Sequence, residues 1–193
     1  INTKDCKNKD IDSKSVQKMR SSILFMGALL GRFCNANIGY PGGCEIGMRP
    51  IDLHLKAFRE MGITIEEQKG ILCCDGKKCI GTKINLDFPS VGATENCILL
   101  AAKSKGYTTI YNAACEPEIV ELQTFLNQCG ANIKGAGTDC IVIEGVKSLY
   151  GTEYTVSSDR IEAGTFLCGA AITKGEIELK NICADTMRQV LLR

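Results

Sequence analysis

The chain has 193 residues, of which 45% are hydrophobic and 23% charged, and its 23 basic and 22 acidic side chains leave a formal net charge of +1. This is the composition of a globular protein with a sizeable core, and the near-zero charge, 6% aromatic residues and lack of Trp give little surface for binding nucleic acid. The longest apolar run, residues 23–30, is far shorter than the roughly 20 residues that cross a bilayer, so we expect neither nucleic-acid binding nor a membrane anchor.

Cysteine is frequent, with twelve residues against a single histidine, His54. A chain with a full apolar core does not depend on disulfides, so we expect reduced thiols. Cys73, Cys74 and Cys79 cluster without a C-x-x-C pair and His54 falls in a helical pattern, so no metal site is predicted. The first residues show no hydrophobic signal region, and we expect a cytoplasmic protein.

A helix followed by a short strand recurs three times along the chain. Each copy has an apolar helical segment and then a strand that ends near an Asn or Gly turn. The predicted pairs are helix 23–31 with strand 37–39, helix 98–102 with strand 106–112, and helix 166–171 with strand 175–181. The second and third copies are about seventy residues apart, the spacing of a supersecondary unit rather than of a solenoid repeat.

The first two copies continue in the same way. Segments 49–62 and 116–130 each have a proline in the first turn and a glycine just after the last turn, which predicts two amphipathic helices. A hairpin is predicted after each helix, with turns at Lys69-Gly70 and at residues 135–137. The strands of these hairpins are 63–65 with 71–73, and 131–133 with 140–143. This recurring unit of helix, strand, helix and hairpin predicts an α/β fold with helices packed on mixed sheets.

The loop between the first strand and the next helix, residues 39–53, carries the strongest chemical signal. It presents Cys44 directly after two glycines, which allow backbone angles and close approaches that a Cβ forbids. Arg49 can offer a permanently charged guanidinium to phosphate or carboxylate, and its charge would favour the thiolate of Cys44. Most other cysteines sit within apolar runs and are interpreted as small buried hydrophobes. Examples are Cys97 and Cys168.

Four motifs resemble those of one enzyme family. They are residues 41–54 (PGGCEIGMRPIDLH), 89–94 (PSVGAT), 116–120 (EPEIV) and 159–165 (DRIEAGT). Together they are similar to the UDP-N-acetylglucosamine 1-carboxyvinyltransferases, the MurA branch of the enolpyruvyl transferases, and the similarity runs through nearly the whole chain from Val16. The resemblance implies two domains, each an inside-out α/β barrel of βαβαββ-type units. Residues 1–157 would then form most of the nucleotide-sugar-binding domain, and 158–193 the start of the second domain.

The resemblance also implies a reaction. In this family the enolpyruvyl group of phosphoenolpyruvate moves to the 3′-hydroxyl of UDP-N-acetylglucosamine and phosphate is released, in the first committed step of peptidoglycan synthesis. No metal or organic cofactor is expected. Cys44 matches the family's general acid toward phosphoenolpyruvate, which can form a covalent adduct with it and is the target of fosfomycin. Arg49 matches the arginine that contacts the anionic substrate, and a poised thiol suits proton delivery to carbon.

The other positions that match the family are expected to bind UDP-N-acetylglucosamine. These substrate-binding positions are Arg20, Arg49, Pro50, Ile51, Asp52, Leu53, Phe88, Pro89, Ser90, Val91 and Gly92. Asp52 can accept a hydrogen bond from the uracil edge, and can equally be a first-turn carboxylate that the helix dipole favours. Ser90 either opens a turn whose backbone N–H groups face phosphate or simply caps a helix. Arg20 matches an arginine near the sugar nucleotide, although a lone arginine is usually a solvated surface charge, and Phe88 stands where some family members carry lysine.

Parts of the family's machinery fall outside these residues. The Lys-Asn pair that binds phosphoenolpyruvate belongs before Ile1, and the aspartate base for the sugar hydroxyl belongs after Arg193. The third copy also stops before its own hairpin. We therefore interpret the chain as a fragment that is at best a partial binder alone. Three alternatives stay open, together with the oligomeric state. One is a non-catalytic nucleotide-sugar-binding paralogue or fragment, and another is an enzyme like 3-phosphoshikimate 1-carboxyvinyltransferase, which shares the repeat but lacks the cysteine loop. The third is a purely structural α/β domain, which would bind no nucleotide and whose Cys44 would have ordinary reactivity.

Overall fold

The computed structural model describes residues 1–11, 13–42 and 50–192, and the chain forms two compact units, Ile1–Thr152 and Glu153–Arg193. The first unit combines helices with two small sheets. Its helices are α1 Ser13–Gln17, α2 Leu24–Phe33, α3 Asp52–Glu60, α4 Val91–Ala101 and α5 Pro117–Gln128, with a 3-10 helix, Arg20–Ile23, directly before α2. Its strands are β1 Asn35–Gly39, β2 Thr64–Gln68, β3 Ile71–Asp75, β4 Lys83–Asn85, β5 Tyr107–Tyr111, β6 Asn132–Lys134 and β7 Cys140–Glu144.

The two sheets are built alike. The first has the strand order β1-β3-β2 and the second the order β4-β5-β7-β6, and in each the hairpin returns antiparallel beside the earlier strand. In the second sheet β4 lies parallel to β5. In the first sheet the equivalent neighbour is a single parallel bridge from Ile11 to Ile38. The first two copies therefore share the predicted order of helix, strand, helix and hairpin, and the second copy has a leading strand, β4, that the pattern did not show.

Close helix packing fixes how α2 lies against α4. A Cβ built on Gly27 would lie 2.4 Å from the Asn96 side-chain oxygen, and one built on Gly31 would lie 3.1 Å from the Leu99 carbonyl oxygen. Only glycine permits this distance at Gly27. The apolar faces of the helices and the inward residues of both sheets then form one core, whose fully buried side chains include Phe58 and Ile110.

The hairpin turns follow the predicted glycine signals. Gln68 pairs with Ile71, so Lys69 and Gly70 alone connect β2 to β3. Both residues have positive φ, 51° and 74°. A two-residue hairpin turn needs positive φ at both positions if its twist is to match that of the strands. Gly135 and Gly137, in the second hairpin, also have positive φ.

The second unit is mainly helical. It contains α6 Arg160–Thr173, a 3-10 helix Ala184–Met187 and α7 Arg188–Leu191. Asp159 caps α6, since its carboxylate accepts from the N–H groups of Ile161 and Glu162 at 2.8 and 3.0 Å. The predicted strand 175–181 is wrong, because this segment has no regular structure. A strand needs a partner for its backbone groups, and the described part of this unit contains none. Along the ranges that the structure describes, no helix combines the length and hydropathy needed to cross a membrane.

Candidate functional site

The two catalytic candidates, Cys44 and Arg49, lie outside the described residues. What the structure describes is the chain on either side of them. A Cβ built on Gly42 would lie 2.0 Å from the Gln17 carbonyl oxygen, so Gly42 presses directly on the backbone at the end of α1. After the loop, Pro50 accepts a hydrogen bond from the Arg20 guanidinium at 3.5 Å. Both ends of the cysteine loop are thus held by one short segment, residues 17–20.

Helix α3 begins directly after the loop. Its N-cap, Ile51, makes no side-chain capping bond, and its first backbone hydrogen bond joins the Leu55 N–H to the Ile51 carbonyl at 3.1 Å. Asp52 is the exposed first residue of the helix, where a carboxylate is favoured by the dipole. The Ile51 side chain is buried in the core, so only its backbone can contact a ligand. Leu53 is half-buried and packs against the core, whereas Pro50 is exposed.

Helix α4 begins at the second predicted binding motif. Ser90 is its N-cap, and its hydroxyl accepts from the Ala93 N–H at 3.4 Å, so the capping interpretation of Ser90 is confirmed. Within the part of the chain that the structure covers, the N–H groups of Val91 and Gly92 have no acceptor. Phe88, before the cap, is 64% exposed, and Pro89 is exposed as well.

These two helix N-termini lie side by side. A Cβ built on Gly92, in the first turn of α4, would lie 3.4 Å from Cε1 and 3.6 Å from Nε2 of His54 on α3. The imidazole edge therefore packs on Gly92. Two helix N-termini therefore lie next to each other, together with the open N–H groups of Val91 and Gly92 described above, an arrangement that favours a bound anion such as a phosphate. We call the first turns of α3 and α4 the paired N-termini.

An ion pair ties the loop before α4 to α3. The Lys56 ammonium donates to both carboxylate oxygens of Asp87, at 2.8 and 2.6 Å. This bond raises the pKa of Lys56 above its usual value. Asp87 directly precedes Phe88, so the pair fixes the segment that leads into the α4 cap.

Known proteins share both sequence and fold with this chain. The family model for EPSP synthase (3-phosphoshikimate 1-carboxyvinyltransferase) matches residues 2–193. The chain belongs to this family. Among solved structures, the enolpyruvyl transferase NikO from Streptomyces tendae has a TM-score of 0.71 at 22% identity, covering 85% of this chain and 39% of that one. EPSP synthase from Acinetobacter baumannii has a TM-score of 0.60 at 23% identity, covering 79% of this chain and 34% of that one. At these identities the likeness shows that this chain shares their mixed helix and sheet fold.

Curated relatives within the EPSP synthase family are much more similar in sequence. UDP-N-acetylglucosamine 1-carboxyvinyltransferase 2 of Caldanaerobacter subterraneus subsp. tengcongensis is 55% identical over 177 residues, which cover 92% of this chain and 42% of that protein. The enzyme numbered 1 from the same organism is 53% identical over 189 residues, covering 98% and 46%. A third, from Ruthia magnifica subsp. Calyptogena magnifica, is 52% identical over 178 residues, covering 92% and 42%. The resemblance drawn from the four motifs is confirmed, and the chain spans less than half the length of these relatives.

Sequence reasoning missed two residues beside the paired N-termini. His54 was interpreted only as part of a helix, which is correct, yet its ring is 5% exposed and packs on Gly92. Asn96 was not singled out, although its amide bonds His54 Nδ1 at 2.9 Å. One signal was available for His54, since the chain's single histidine follows the RPIDL stretch directly. Nothing local marks Asn96, because its partners are 42 to 73 residues away.

The cysteines other than Cys44 divide by burial. All eleven are free thiols. Cys97 is fully buried as predicted, and burial raises its pKa to about 12, while burial raises that of Cys74 to about 11. The expectation for Cys168 is wrong: it is exposed on α6 in the second unit. Exposure is shared by Cys6, Cys34, Cys115 and Cys183. No cluster of three or more His, Cys, Asp or Glu side chains in the described ranges is placed to hold a metal ion.

Proposed function

We propose that this chain is the nucleotide-sugar-binding part of a UDP-N-acetylglucosamine 1-carboxyvinyltransferase, which transfers the enolpyruvyl group of phosphoenolpyruvate to the sugar 3′-hydroxyl. The observation that carries the proposal is the 48 to 55% identity to relatives bearing that name, against 22 to 24% to the structures of other enolpyruvyl transferases. Presence of Cys44 supports the same choice, because the sister enzyme acting on shikimate 3-phosphate lacks the cysteine loop.

The paired N-termini support binding of the diphosphate. Its oxygens would accept from the open N–H groups of Val91 and Gly92, with Ser90 holding the turn in place. The uridine end would lie along residues 50–53, where Asp52 is exposed and available to the uracil edge. Arg20, already bonded to the Pro50 carbonyl, would bring a positive charge to this edge of the site. Phe88 and Pro89 would cover the ligand from the side of the α4 cap.

The chemistry would centre on Cys44 and Arg49. Arg49 would bind the anionic substrate, and the Cys44 thiol would deliver its proton to C3 of phosphoenolpyruvate while the sugar oxygen bonds to C2 and gives up its own proton. In the second stage the C2–O bond to phosphate breaks, C3 loses a proton, and the double bond returns on the transferred group. The atoms balance as one phosphate released for each enolpyruvyl ether formed. The base for the sugar hydroxyl is expected from the remainder of the protein.

The larger architecture follows from the same proposal. Residues 1–157 would form most of the nucleotide-sugar domain and 158–193 the start of a second domain, each completed as an inside-out barrel of βαβαββ units. The two units observed in the first compact body support this arrangement. A role in peptidoglycan synthesis would place the protein in the cytoplasm, where its two soluble substrates meet.

Fosfomycin labelling tests the cysteine assignment. The chain is incubated with fosfomycin, with and without UDP-N-acetylglucosamine, and adducts are located by mass spectrometry. Labelling is expected at Cys44, and more of it with the nucleotide sugar bound. The exposed thiols Cys34 and Cys115 serve as internal controls for unselective reaction. Equal labelling of all three, unaffected by the nucleotide sugar, would contradict the assignment.

An assay of phosphate release distinguishes an active enzyme from a non-catalytic paralogue that only binds the nucleotide sugar. The whole protein that contains this chain, given both substrates, should release one phosphate per enolpyruvyl ether, and Cys44→Ala should abolish release while nucleotide-sugar binding persists. Binding without phosphate release in the unaltered protein would favour the non-catalytic paralogue. Turnover with shikimate 3-phosphate instead would favour the sister enzyme.

A further inference from the structure

We infer that Asn96 is a positioning residue for phosphate binding: its side-chain amide fixes His54 as the neutral imidazole that carries its proton on Nε2, and holds that donor against the first turn of α4. The inference rests on the proposed function, since it assigns an anionic oxygen of the nucleotide sugar as the acceptor. It adds a neutral side-chain donor beside the backbone N–H groups at the first turn of α4.

The orientation of the Asn96 amide is dictated by two backbone groups. The residue is 0% exposed. Its Oδ1 accepts from the Gly27 N–H at 2.9 Å, and its Nδ2 donates to the Ile23 carbonyl at 3.0 Å. A backbone N–H can only donate and a carbonyl can only accept, so the amide cannot be turned around without breaking both bonds.

This orientation decides the protonation of His54. The same Nδ2 lies 2.9 Å from His54 Nδ1, and its remaining hydrogen points there. Nδ1 must therefore accept, so it carries no proton, and a neutral ring then carries its proton on Nε2. Burial and the nearby Arg20 guanidinium lower the pKa of His54 to about 4, against a smaller opposing effect of Asp52. The ring is thus neutral at physiological pH.

The Nε2–H group is directed to the paired N-termini. Nε2 lies 3.6 Å from a Cβ built on Gly92 and makes no hydrogen bond within the described ranges. Among the described residues, Thr108 Oγ1 alone is a fully buried side-chain polar atom without a hydrogen-bond partner. Because Nε2 of His54 also lacks a partner there, it must keep some access to solvent. A buried ring therefore presents one open donor beside the open N–H groups of Val91 and Gly92. Three donors without an acceptor suit a phosphate oxygen that carries no proton.

The fixed tautomer has a measurable consequence for pH dependence. The charged groups acting on His54 are Arg20 from the 3-10 helix and Asp52 from α3. A donor held on Nε2 over a wide pH range keeps the affinity for a phosphodiester constant, whereas an imidazole that ionises within this range would not. UDP-N-acetylglucosamine is a suitable probe because its diphosphate diester has no ionisation of its own near neutral pH.

Nuclear magnetic resonance reads the tautomer directly. His54 is the only histidine in the 193-residue chain, so ¹⁵N-histidine labelling gives a single imidazole signal set. The unaltered chain should show protonated Nε2 and unprotonated Nδ1 from pH 5 to pH 8. Asn96→Asp retains an acceptor for Gly27 and replaces the donor to Nδ1 by oxygen, so the proton should move to Nδ1 or the ring should ionise at higher pH. An Nδ1–H or imidazolium signal in the unaltered chain at pH 7 overturns the inference, as does a spectrum unchanged by Asn96→Asp.

Calorimetric titration with UDP-N-acetylglucosamine tests the link to binding. The unaltered chain should bind with the same affinity at pH 6 and pH 8, whereas Asn96→Asp should bind about tenfold more weakly at pH 8 than at pH 6, as expected for losing one hydrogen bond to a charged group. In a His54→Phe background Asn96→Asp should have no further pH-dependent effect. If Asn96→Asp lowers the affinity equally at both pH values, and does so in the His54→Phe background as well, Asn96 has a packing role only and the inference is overturned.

Two controls keep the outcomes separable. If Asn96→Asp does not fold, by circular dichroism, Asn96→Ala takes its place, and the fraction of Nε2–H should fall because Nδ1 has lost its donor. An unaltered chain that binds no nucleotide sugar contradicts the proposed function, while the imidazole spectrum still decides whether Asn96 sets the tautomer.

Discussion

The Lys56 ammonium on α3 donates hydrogen bonds to both carboxylate oxygens of Asp87, which lies three residues before Ser90, the N-cap of α4. The pair joins the two elements whose N-termini meet at His54 and Gly92. Lys56 and Asp87 are both well exposed, with side chains 47% and 63% accessible, so the pair contributes little to the stability of the fold. Its effect is instead on the relative placement of the paired N-termini.

Breaking this ion pair should therefore weaken binding more than folding. Lys56→Met or Asp87→Asn is expected to lower affinity for UDP-N-acetylglucosamine about two- to fivefold, the range of an exposed ion pair, with a melting temperature close to that of the unaltered chain. Calorimetric titration and thermal denaturation measure the two effects. Lys77→Met is the matched control, since Lys77 pairs at 3.5 Å with Asp75, an exposed partner at the end of β3. Equal losses of affinity in Lys56→Met and Lys77→Met would contradict a specific role of the first pair.

Two buried threonines should respond in opposite directions to the same substitution. Thr108, on β5, is 1% exposed, and its hydroxyl has no hydrogen-bond partner among the residues that the structure describes. Thr108→Val removes a polar group that is costly to bury and should raise the free energy of unfolding by about 1 kcal/mol. The hydroxyl of Thr94, on α4, accepts from the buried Ala114 N–H at 3.1 Å. Thr94→Val leaves that N–H unpaired and should lower the free energy of unfolding by about 1 to 3 kcal/mol.

Urea denaturation of both threonine variants measures the difference. The substitution is the same in shape at both positions, so only the hydrogen bonding differs. A destabilised Thr108→Val would mean that its hydroxyl has a partner, such as a water molecule, in solution.

The glycine that opens the cysteine loop should tolerate no side chain. In Gly42→Ala the new Cβ would lie 2.0 Å from the Gln17 carbonyl oxygen, a backbone atom that cannot rotate aside. The loop entrance must then move away from α1. Displacement of a reacting group by about 1 Å can cost about a hundredfold in rate, so fosfomycin labelling of Cys44 should slow by up to that factor.

Gly151→Ala is the control for that substitution, because a Cβ there meets nothing within 4 Å. Rates of labelling are followed by mass spectrometry of the Cys44 peptide. A labelling rate in Gly42→Ala equal to that of Gly151→Ala would show that contact with Gln17 does not position the loop.

The repeat was predictable because its signals are local. Proline in the first turn of α5 and the Lys69-Gly70 turn act through their own backbone angles, which the residue type largely sets. Ser90 likewise caps the helix that its sequence position suggests. In contrast, the alternating pattern of residues 175–181 predicts a strand only if a neighbouring strand pairs with it, and the described second unit offers none.

The site was predictable only in part, since its geometry depends on distant partners. The motifs correctly located the N-termini of α3 and α4, but their contact through His54 and Gly92 joins residues 38 positions apart in the sequence. Asn96 belongs to no motif, and its importance appears only when Ile23, Gly27 and His54 are brought around it. Buried polar networks of this kind are specified by three-dimensional packing rather than by spacing.

The neutral state of His54 should make folding stability sensitive to acid. Burial lowers the pKa of His54 from 6.5 to about 4 in the folded chain, so below pH 6.5 the unfolded chain takes up a proton that the folded chain does not. Stability must then fall as the pH falls from 6.5 toward 4, by about 2 kcal/mol at pH 5 and about 3 kcal/mol at the end of this window, and it should not change through His54 above pH 7. Urea denaturation of the unaltered chain and of His54→Gln between pH 5 and pH 8 isolates the contribution, because carboxylates titrate in both proteins and only the first has an imidazole. Parallel pH profiles would show that the ring ionises as easily in the folded state as in the unfolded state, which its burial between α3 and α4 argues against.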